Sequence, residues 1–296
     1  MKPTVVKDLV PGRLAPTGGI NVSAPERRDR TESVDVKRQA ILLSIVMPAF
    51  NEANTIEVAV TKLLSLQLSG DYELIVVNDG STDETAEVLA QVESEIGDRR
   101  LRILSQPTNT GKGAAVRRAI AEASGAYLLI FDADSEYDVA DISRLVEPLF
   151  TGRAEVVYGV RLSGVNVVIP TLSHAIGNRI MTMTANLIYG AWLTDMHTCL
   201  KLVPVPLLKA MTLTENGFGL DTEITAEMLR LGYRPYEVPA SYVGRTREEG
   251  KKIGFLDALR CFYVLGKVRL RGKRKPGLRD RSLAPSVMER PARASR

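Results

Sequence analysis

Four short aliphatic runs, at residues 41–47, 72–77, 101–104 and 127–131, alternate with segments in which apolar residues recur at helical spacing. The helical segments are marked by Ile56, Val60, Leu63 and Leu64, by Val88, Leu89, Val92 and Ile96, and by residues 111–123. Such alternation implies βαβ units, and therefore an α/β fold with a mostly parallel, twisted sheet and helices on both faces. Ligands of such sheets bind beyond the carboxyl ends of the strands. The segments expected on that rim are residues 48–52, 78–81 and 132–136. Pro48 is expected to stop the first strand, and Ser81 with Glu84 matches a capping box for the second helix.

The fourth run, Leu128-Leu-Ile-Phe131, leads straight into Asp132 and Asp134. Carboxylates at a strand's carboxyl end are hard oxygen ligands. Mg²⁺ takes one or two of them, together with substrate phosphates and water. The pattern points to handling of a diphosphate, although a lone Asp-x-Asp reads equally well as an acidic turn with Asp134 capping the next helix. Gly111-Lys112-Gly113 opens a helix after a strand, but it completes neither of two phosphate motifs. Val116 stands where a dinucleotide fingerprint needs a small residue, and Gly113 follows Lys112 where a P-loop needs Ser or Thr. A glycine-flanked helix start carrying Lys112 still suits a phosphate.

Net charge is +4 over 296 residues, and its distribution is uneven. Residues 267–296 hold 11 Lys or Arg against Asp280 and Glu289, while the preceding residues sum to −5, 28 basic against 33 acidic. The expected division is a disordered or loosely attached segment at 1–39, a folded domain at 40–270 and a basic, disordered tail at 271–296. Two cysteines, Cys199 and Cys261, lack metal-ligand or redox spacing, which suits a reducing compartment. No apolar run reaches the ~18 residues of a membrane span, and no secretory signal is read at the start. The expected location is cytoplasmic, with peripheral attachment to the inner face of a membrane. Phe255, Leu256, Leu259, Phe262, Tyr263 and Val264 form an apolar helix face leading into Lys267, Arg269 and Arg271, which suits a headgroup region or a core.

With Pro48-Ala-Phe-Asn-Glu52, Asn78-Asp-Gly-Ser81 and Asp132-Ala-Asp134 in one chain, the sequence resembles the GT-A-fold, family 2 glycosyltransferases. Residues 194–201, 217–223 and 245–252 look like the second half of the dolichyl- or polyprenyl-phosphate mannose synthase-like branch, and the resemblance spans about residues 43–267. It implies an inverting transfer of mannose or glucose from GDP-mannose or UDP-glucose to a polyprenyl phosphate, with Mg²⁺ or Mn²⁺ as cofactor and no nucleic-acid partner. Pro48, Phe50, Glu52, Asp79, Lys112, Asp132, Ala133 and Asp134 would line the nucleotide-sugar pocket, with Phe50 where Tyr is common. Asp132, Asp134 and Glu136 would hold the metal, Glu136 standing where related synthases have Gln. Asp134, Arg161 and Asp195 are the expected catalytic residues, and Arg245, Arg247, Lys251 and Lys252 would clamp the acceptor phosphate. A phosphate acceptor is already ionised and needs no strong base. A soluble hydroxyl acceptor would need one, from Asp195, Glu223 or His197. A non-catalytic homologue that binds nucleotide sugar is the third reading, against which the intact Asp pair argues.

Overall fold

The computed structural model describes residues 43–161, 167–169, 171–245 and 255–272. Its strands are β1 (Leu43–Ala49), β2 (Tyr72–Asn78), β3 (Leu101–Ser105), β4 (Tyr127–Ile130), β5 (Val157–Val160), β6 (Val167–Val168), β7 (Lys201–Pro204), β8 (Tyr236–Pro239) and β9 (Tyr242–Val243). The helices are α1 (Ile56–Leu64), α2 (Thr85–Ile96), α3 (Lys112–Glu122), α4 (Asp141–Phe150), α5 (Leu172–Tyr189), α6 (Val205–Ala210), α7 (Gly219–Arg230) and α8 (Phe255–Leu270). Seven strands form one sheet in the order β3-β2-β1-β4-β7-β5-β8, and β6 pairs with β9 in a second. Only β7 runs antiparallel to its neighbours in the large sheet, between β4 and β5. The remaining pairs are parallel, as the alternation of segments implies.

Side-chain parity along the central strands explains the two helical layers. Leu43, Ile45 and Met47 of β1, with Tyr127 and Leu129 of β4, pack among α1, α2 and α4. The alternate residues Val46, Leu128 and Ile130 pack with Ala115, Val116 and Ala119 of α3 and with α6 and α7. Burying each Val, Leu or Ile of this kind contributes roughly 1.5–3 kcal/mol before conformational entropy is charged against it. A third cluster joins Met181 and Ala185 of α5, Ala226 of α7 and Cys261, Val264, Leu265 and Val268 of α8.

Three local expectations are corrected. Pro48 does not end β1, because the register continues through Pro48↔Val77 to Ala49↔Asn78. The Val46 carbonyl accepts from Phe131 N–H on the β4 side, and the β4 register stops at Val46↔Ile130. The donor that Pro48 lacks therefore faces a position beyond the ladder, where proline costs little. Ser81 and Glu84 do not form a capping box, since α2 begins at Thr85. Asp83 does the work instead: its Oδ1 accepts from Thr85 N–H at 3.0 Å, and Ser81 Oγ accepts from Asn51 N–H at 3.0 Å. The expected acidic-turn cap at Asp134 is also absent, because α4 starts only at Asp141.

Candidate active site at the carboxyl ends of the strands

The loop after β1 is tied to the loop after β2. Asn51 takes a left-handed backbone (φ 55), and its Oδ1 accepts from Thr82 N–H at 2.8 Å. Glu52 N–H donates to Thr85 Oγ1 at 2.9 Å, and Ala53 N–H to Asp83 Oδ2 at 3.3 Å. Pro48, Phe50 and Glu52 thereby share one half-buried wall.

Asp79, expected to line the nucleotide-sugar pocket, is buried. It is 2% exposed. Its Oδ1 accepts from Gln106 at 2.7 Å and from Thr110 N–H at 2.9 Å, while Oδ2 accepts from Gly111 N–H at 2.8 Å. The carboxylate thus fixes the segment that launches α3. Gly80 (φ 64) follows it because a Cβ there would stand 2.4 Å from the Thr108 backbone. Gly113 is required by packing, since a Cβ would meet the Glu215 carbonyl at 2.5 Å.

So launched, α3 delivers Lys112 to Asp132. The ammonium donates to Asp132 Oδ2 at 2.8 Å and lies 3.5 Å from Asp221 Oδ2. Burial alone would lower its pKa, but Asp132 and Asp221 hold it well above the ordinary lysine value, so the charge is permanent. Asp221 in turn lies 3.4 Å from Lys201, which is fully buried over the Tyr158 ring. Burial works to raise the Asp221 pKa, yet Lys112 and Lys201 keep it below the usual carboxylate range. Cys199 donates its thiol to Asp132 Oδ2 at 2.6 Å, and burial pushes that thiol's pKa well up, which keeps it protonated. Asp221, Lys201 and Cys199 were not singled out as site residues. Their only signal is membership of the motifs at 194–201 and 217–223, and pairing over such separations has no period to read.

The Asp132-Ala133-Asp134 segment fits a divalent ion in one specific sense. Asp132 Oδ1 is buried and lacks a hydrogen-bond partner among the described residues. Ala133 is buried beneath the two acids, and Asp134 remains one-fifth exposed. Among the described residues no group of three or more His, Cys, Asp or Glu is assembled for a metal. Two carboxylates with the remaining oxygens supplied by a diphosphate is the Mg²⁺-type arrangement. Glu136 does not complete it: its Oε2 accepts from Tyr242 hydroxyl at 2.7 Å and its Oε1 from Arg245 N–H at 2.7 Å. Both oxygens are spent on holding β9 and the residues beyond it.

Arg161 and Asp195 are brought together, but as a buried ion pair. Nε donates to Asp195 Oδ2 at 2.7 Å and an Nη to Oδ1 at 2.8 Å, with Asn178 donating to Oδ1 at 2.9 Å. The guanidinium also lies 5.0 Å from the Tyr242 ring centre. Burial would raise the Asp195 pKa, but Arg161 overcomes it and holds the carboxyl far below the usual range, so Asp195 is a poor proton acceptor. His197 is also committed. Asn178 Oδ1 accepts from its Nδ1 at 3.1 Å, leaving Nε2 to accept from Thr222 hydroxyl at 3.0 Å. Burial and the charge of Lys201 lower its pKa to about 4. Glu223 faces away from the rim and accepts from Thr214 and Glu215 N–H at 2.6 and 2.9 Å.

On the acceptor side, Arg247, Lys251 and Lys252 lie outside the described residues. Arg245 is described, and it reaches the donor-side acids Glu52 and Asp134. Between β8 and β9 the chain leaves β5 for β6, and Ser241 N–H donates there to Asp141 Oδ2 at 2.5 Å.

The apolar face expected on α8 is divided. Val264 is buried, whereas Leu256, Leu259, Phe262 and Tyr263 are exposed. The basic residues that follow do not stand free for headgroups. Lys267 lies 3.3 Å from Glu215, Arg271 lies 2.5 Å from Glu227, and Arg269 donates to the Ile188 carbonyl at 3.3 Å. Next to α8, Leu172, Ile176, Ile180, Met183 and Leu187 of α5 are exposed at successive helical turns, with Trp192 beyond them.

A parallel sheet reversed at β7, with an acidic pair beyond the carboxyl end of β4 and helices on both faces, is the GT-A fold of nucleotide-sugar transferases. The chain belongs to one family within it: the sequence model of glycosyl transferase family 2 matches residues 44–209. It is 31% identical over 202 residues to glycosyltransferase AglJ of Haloferax volcanii, covering 68% of this chain and 63% of the relative. It is 25% identical over 200 residues to a dolichyl-phosphate beta-glucosyltransferase of Dictyostelium discoideum, covering 64% and 56%. The chain therefore spans less than two thirds of these relatives' length. A crystal structure of glucosyl-3-phosphoglycerate synthase from Mycobacterium tuberculosis, with Mn²⁺, uridine diphosphate and phosphoglyceric acid, shares the fold at a TM-score of 0.57 and 22% identity, over 77% of this chain and 78% of that one.

Proposed function

We propose that this protein transfers a hexose, mannose or glucose, from a nucleotide sugar to a polyprenyl or dolichyl phosphate, with inversion and with Mg²⁺ or Mn²⁺. The observation that carries the donor side is Asp132 Oδ1, buried and unpartnered beside Asp134 at the end of β4, with the Lys112 ammonium 2.8 Å from the other oxygen of Asp132. A divalent ion held by Asp132 and Asp134 supplies neutralisation of the charge that develops on the leaving diphosphate. Lys112 adds a fixed positive charge beside that position, and the Asp79 carboxylate keeps the start of α3 in place.

The acceptor reading rests on the absence of a free base among the residues considered for one. Asp195 is locked to Arg161, Glu223 is turned to the 214–215 backbone, and His197 spends both ring nitrogens. A phosphate monoester, ionised at neutral pH, needs none of them. The dolichyl-phosphate glucosyltransferase relatives support the same choice. The outward apolar residues of α5 and α8 suit a lipid surface from which such an acceptor would be drawn. No described helix is long and apolar enough to cross a membrane. Arg161 serves in this account as a positioning residue that holds Asp195 and lies against Tyr242, which in turn holds Glu136.

The test is a panel of GDP-mannose, UDP-glucose and related donors with polyprenyl phosphate and Mg²⁺ or Mn²⁺, reading nucleoside diphosphate release and lipid-linked sugar together. Metal-dependent formation of lipid-linked hexose from one donor is expected, with His197→Ala retaining transfer within a few-fold. Release of nucleotide on a soluble hydroxyl acceptor, with no sugar reaching lipid, would replace this acceptor with the hydroxyl one.

A further inference from the structure

Arg245 lies just past β9, where its backbone N–H is held by Glu136. From there its guanidinium reaches two acids on different strand ends. The Nη atoms donate to Glu52 at 3.2 and 3.3 Å, and one of them lies 3.4 Å from Asp134 Oδ2. Side-chain exposure is 24% for Arg245, 12% for Glu52 and 20% for Asp134, so the three charges meet in partial shelter from water. Glu52 belongs to the wall after β1 and Asp134 to the segment after β4. Without a cation between them, two carboxylates so placed would repel. The guanidinium is that cation in the empty protein.

We infer that Arg245 is the resting counter-cation of the donor site, and that it makes binding of a divalent ion conditional on arrival of the donor's diphosphate. The inference rests on the donor site proposed above and extends it. A divalent ion approaching Asp134 in the nucleotide-free protein meets a positive charge 3.4 Å from its ligand oxygen. Among the described residues it also finds only the two carboxylates of Asp132 and Asp134 to replace its water. A diphosphate changes both conditions. It brings negative charge and the oxygens that the ion still lacks, and it offers the guanidinium a planar, bidentate partner in place of the carboxylates. Ion and diphosphate then strengthen each other's binding, and by linkage the strengthening is equal in both directions.

The experiment measures Mn²⁺ binding to the full chain, by electron paramagnetic resonance of free Mn²⁺, with and without UDP or GDP. In the wild type, nucleotide is expected to tighten Mn²⁺ binding by about 5–150-fold, the usual range of site coupling. Arg245→Gln should tighten Mn²⁺ binding to the nucleotide-free protein by about tenfold and reduce the nucleotide's effect by a similar factor. Arg245→Lys keeps the charge and should stay close to wild type, which separates a charge effect from a general disturbance of the loop. Nucleotide binding by both variants serves as the check that they are folded. If Arg245→Gln binds UDP or GDP but leaves nucleotide-free Mn²⁺ affinity unchanged, the counter-cation role is wrong and the donor site stands. If the wild type binds neither nucleotide with Mn²⁺, both fall.

Discussion

Replacing Asp134 with Ala is expected to lower kcat/KM for sugar transfer by about 10³-fold, a loss of about 4 kcal/mol in transition-state stabilisation. The side chain is one of the two carboxylates proposed to hold the ion beyond β4, and it is the more exposed of the pair at 20% against 16%. Removing it deprives a divalent ion of half its protein ligation when charge develops on the diphosphate. The fold should hardly notice, because the Asp134 side chain's own contacts are the Glu136 N–H at 3.2 Å and Arg245 at 3.4 Å. Steady-state kinetics with Mn²⁺, alongside a thermal midpoint within a few degrees of wild type, checks both halves of the expectation. Transfer within a few-fold of wild type would remove Asp134 from the metal site.

The second large effect is on stability. Asp195→Ala strands the Arg161 guanidinium, which is 8% exposed and donates two hydrogen bonds to that carboxylate. Breaking a buried pair by deleting one partner costs about 3–5 kcal/mol, and urea unfolding at pH 7 should show it. The pH dependence has a definite sign. The Asp195 pKa is depressed from 3.8 in the folded protein, so its stabilisation is fully present above that value and is lost as pH falls through the folded one. His197 acts in a different window. Its pKa falls from 6.5 to about 4 on folding, so wild-type stability should already decline between those values as unfolded chains take up the proton. A variant Asp195→Ala as stable as wild type at pH 7 would mean that Arg161 finds another anion.

The rim was legible in the sequence because its signal is local. An aliphatic run followed at once by Asp132 and Asp134, or by Pro48 to Glu52, carries both strand and site within ten residues. The parallel pairing of β1 to β4 followed from the same alternation. What escaped depends on distant partners. Arg161 and Asp195 are 34 residues apart, and nothing in either neighbourhood says that they pair. Arg245 and Glu52 are separated by 193 residues, so the contact of this one arginine with the donor-side wall has no local signal. Glu136, expected as a metal ligand, accepts at its Oε2 from Tyr242, 106 residues on, a partner that nothing near it in the sequence announces. The outward stripe on α5 has the same apolar period as a core helix, and period alone cannot say which way a face points. On α8 the charged residues turn inward to Glu215 and Glu227, opposite to what an amphipathic pattern suggests, because those acids are buried on α7 and in the loop before it.

The central claim is that a sugar nucleotide lies with its diphosphate against Asp132 and Asp134 through a divalent ion. Crystals grown with Mn²⁺ and UDP or GDP, measured at the manganese edge, test it directly. An anomalous peak in coordination contact with Asp134 and with diphosphate oxygens, and Arg245 drawn away from Glu52, is the expected result. A nucleotide bound elsewhere, or bound on this rim with no manganese between it and the two acids, would contradict the account.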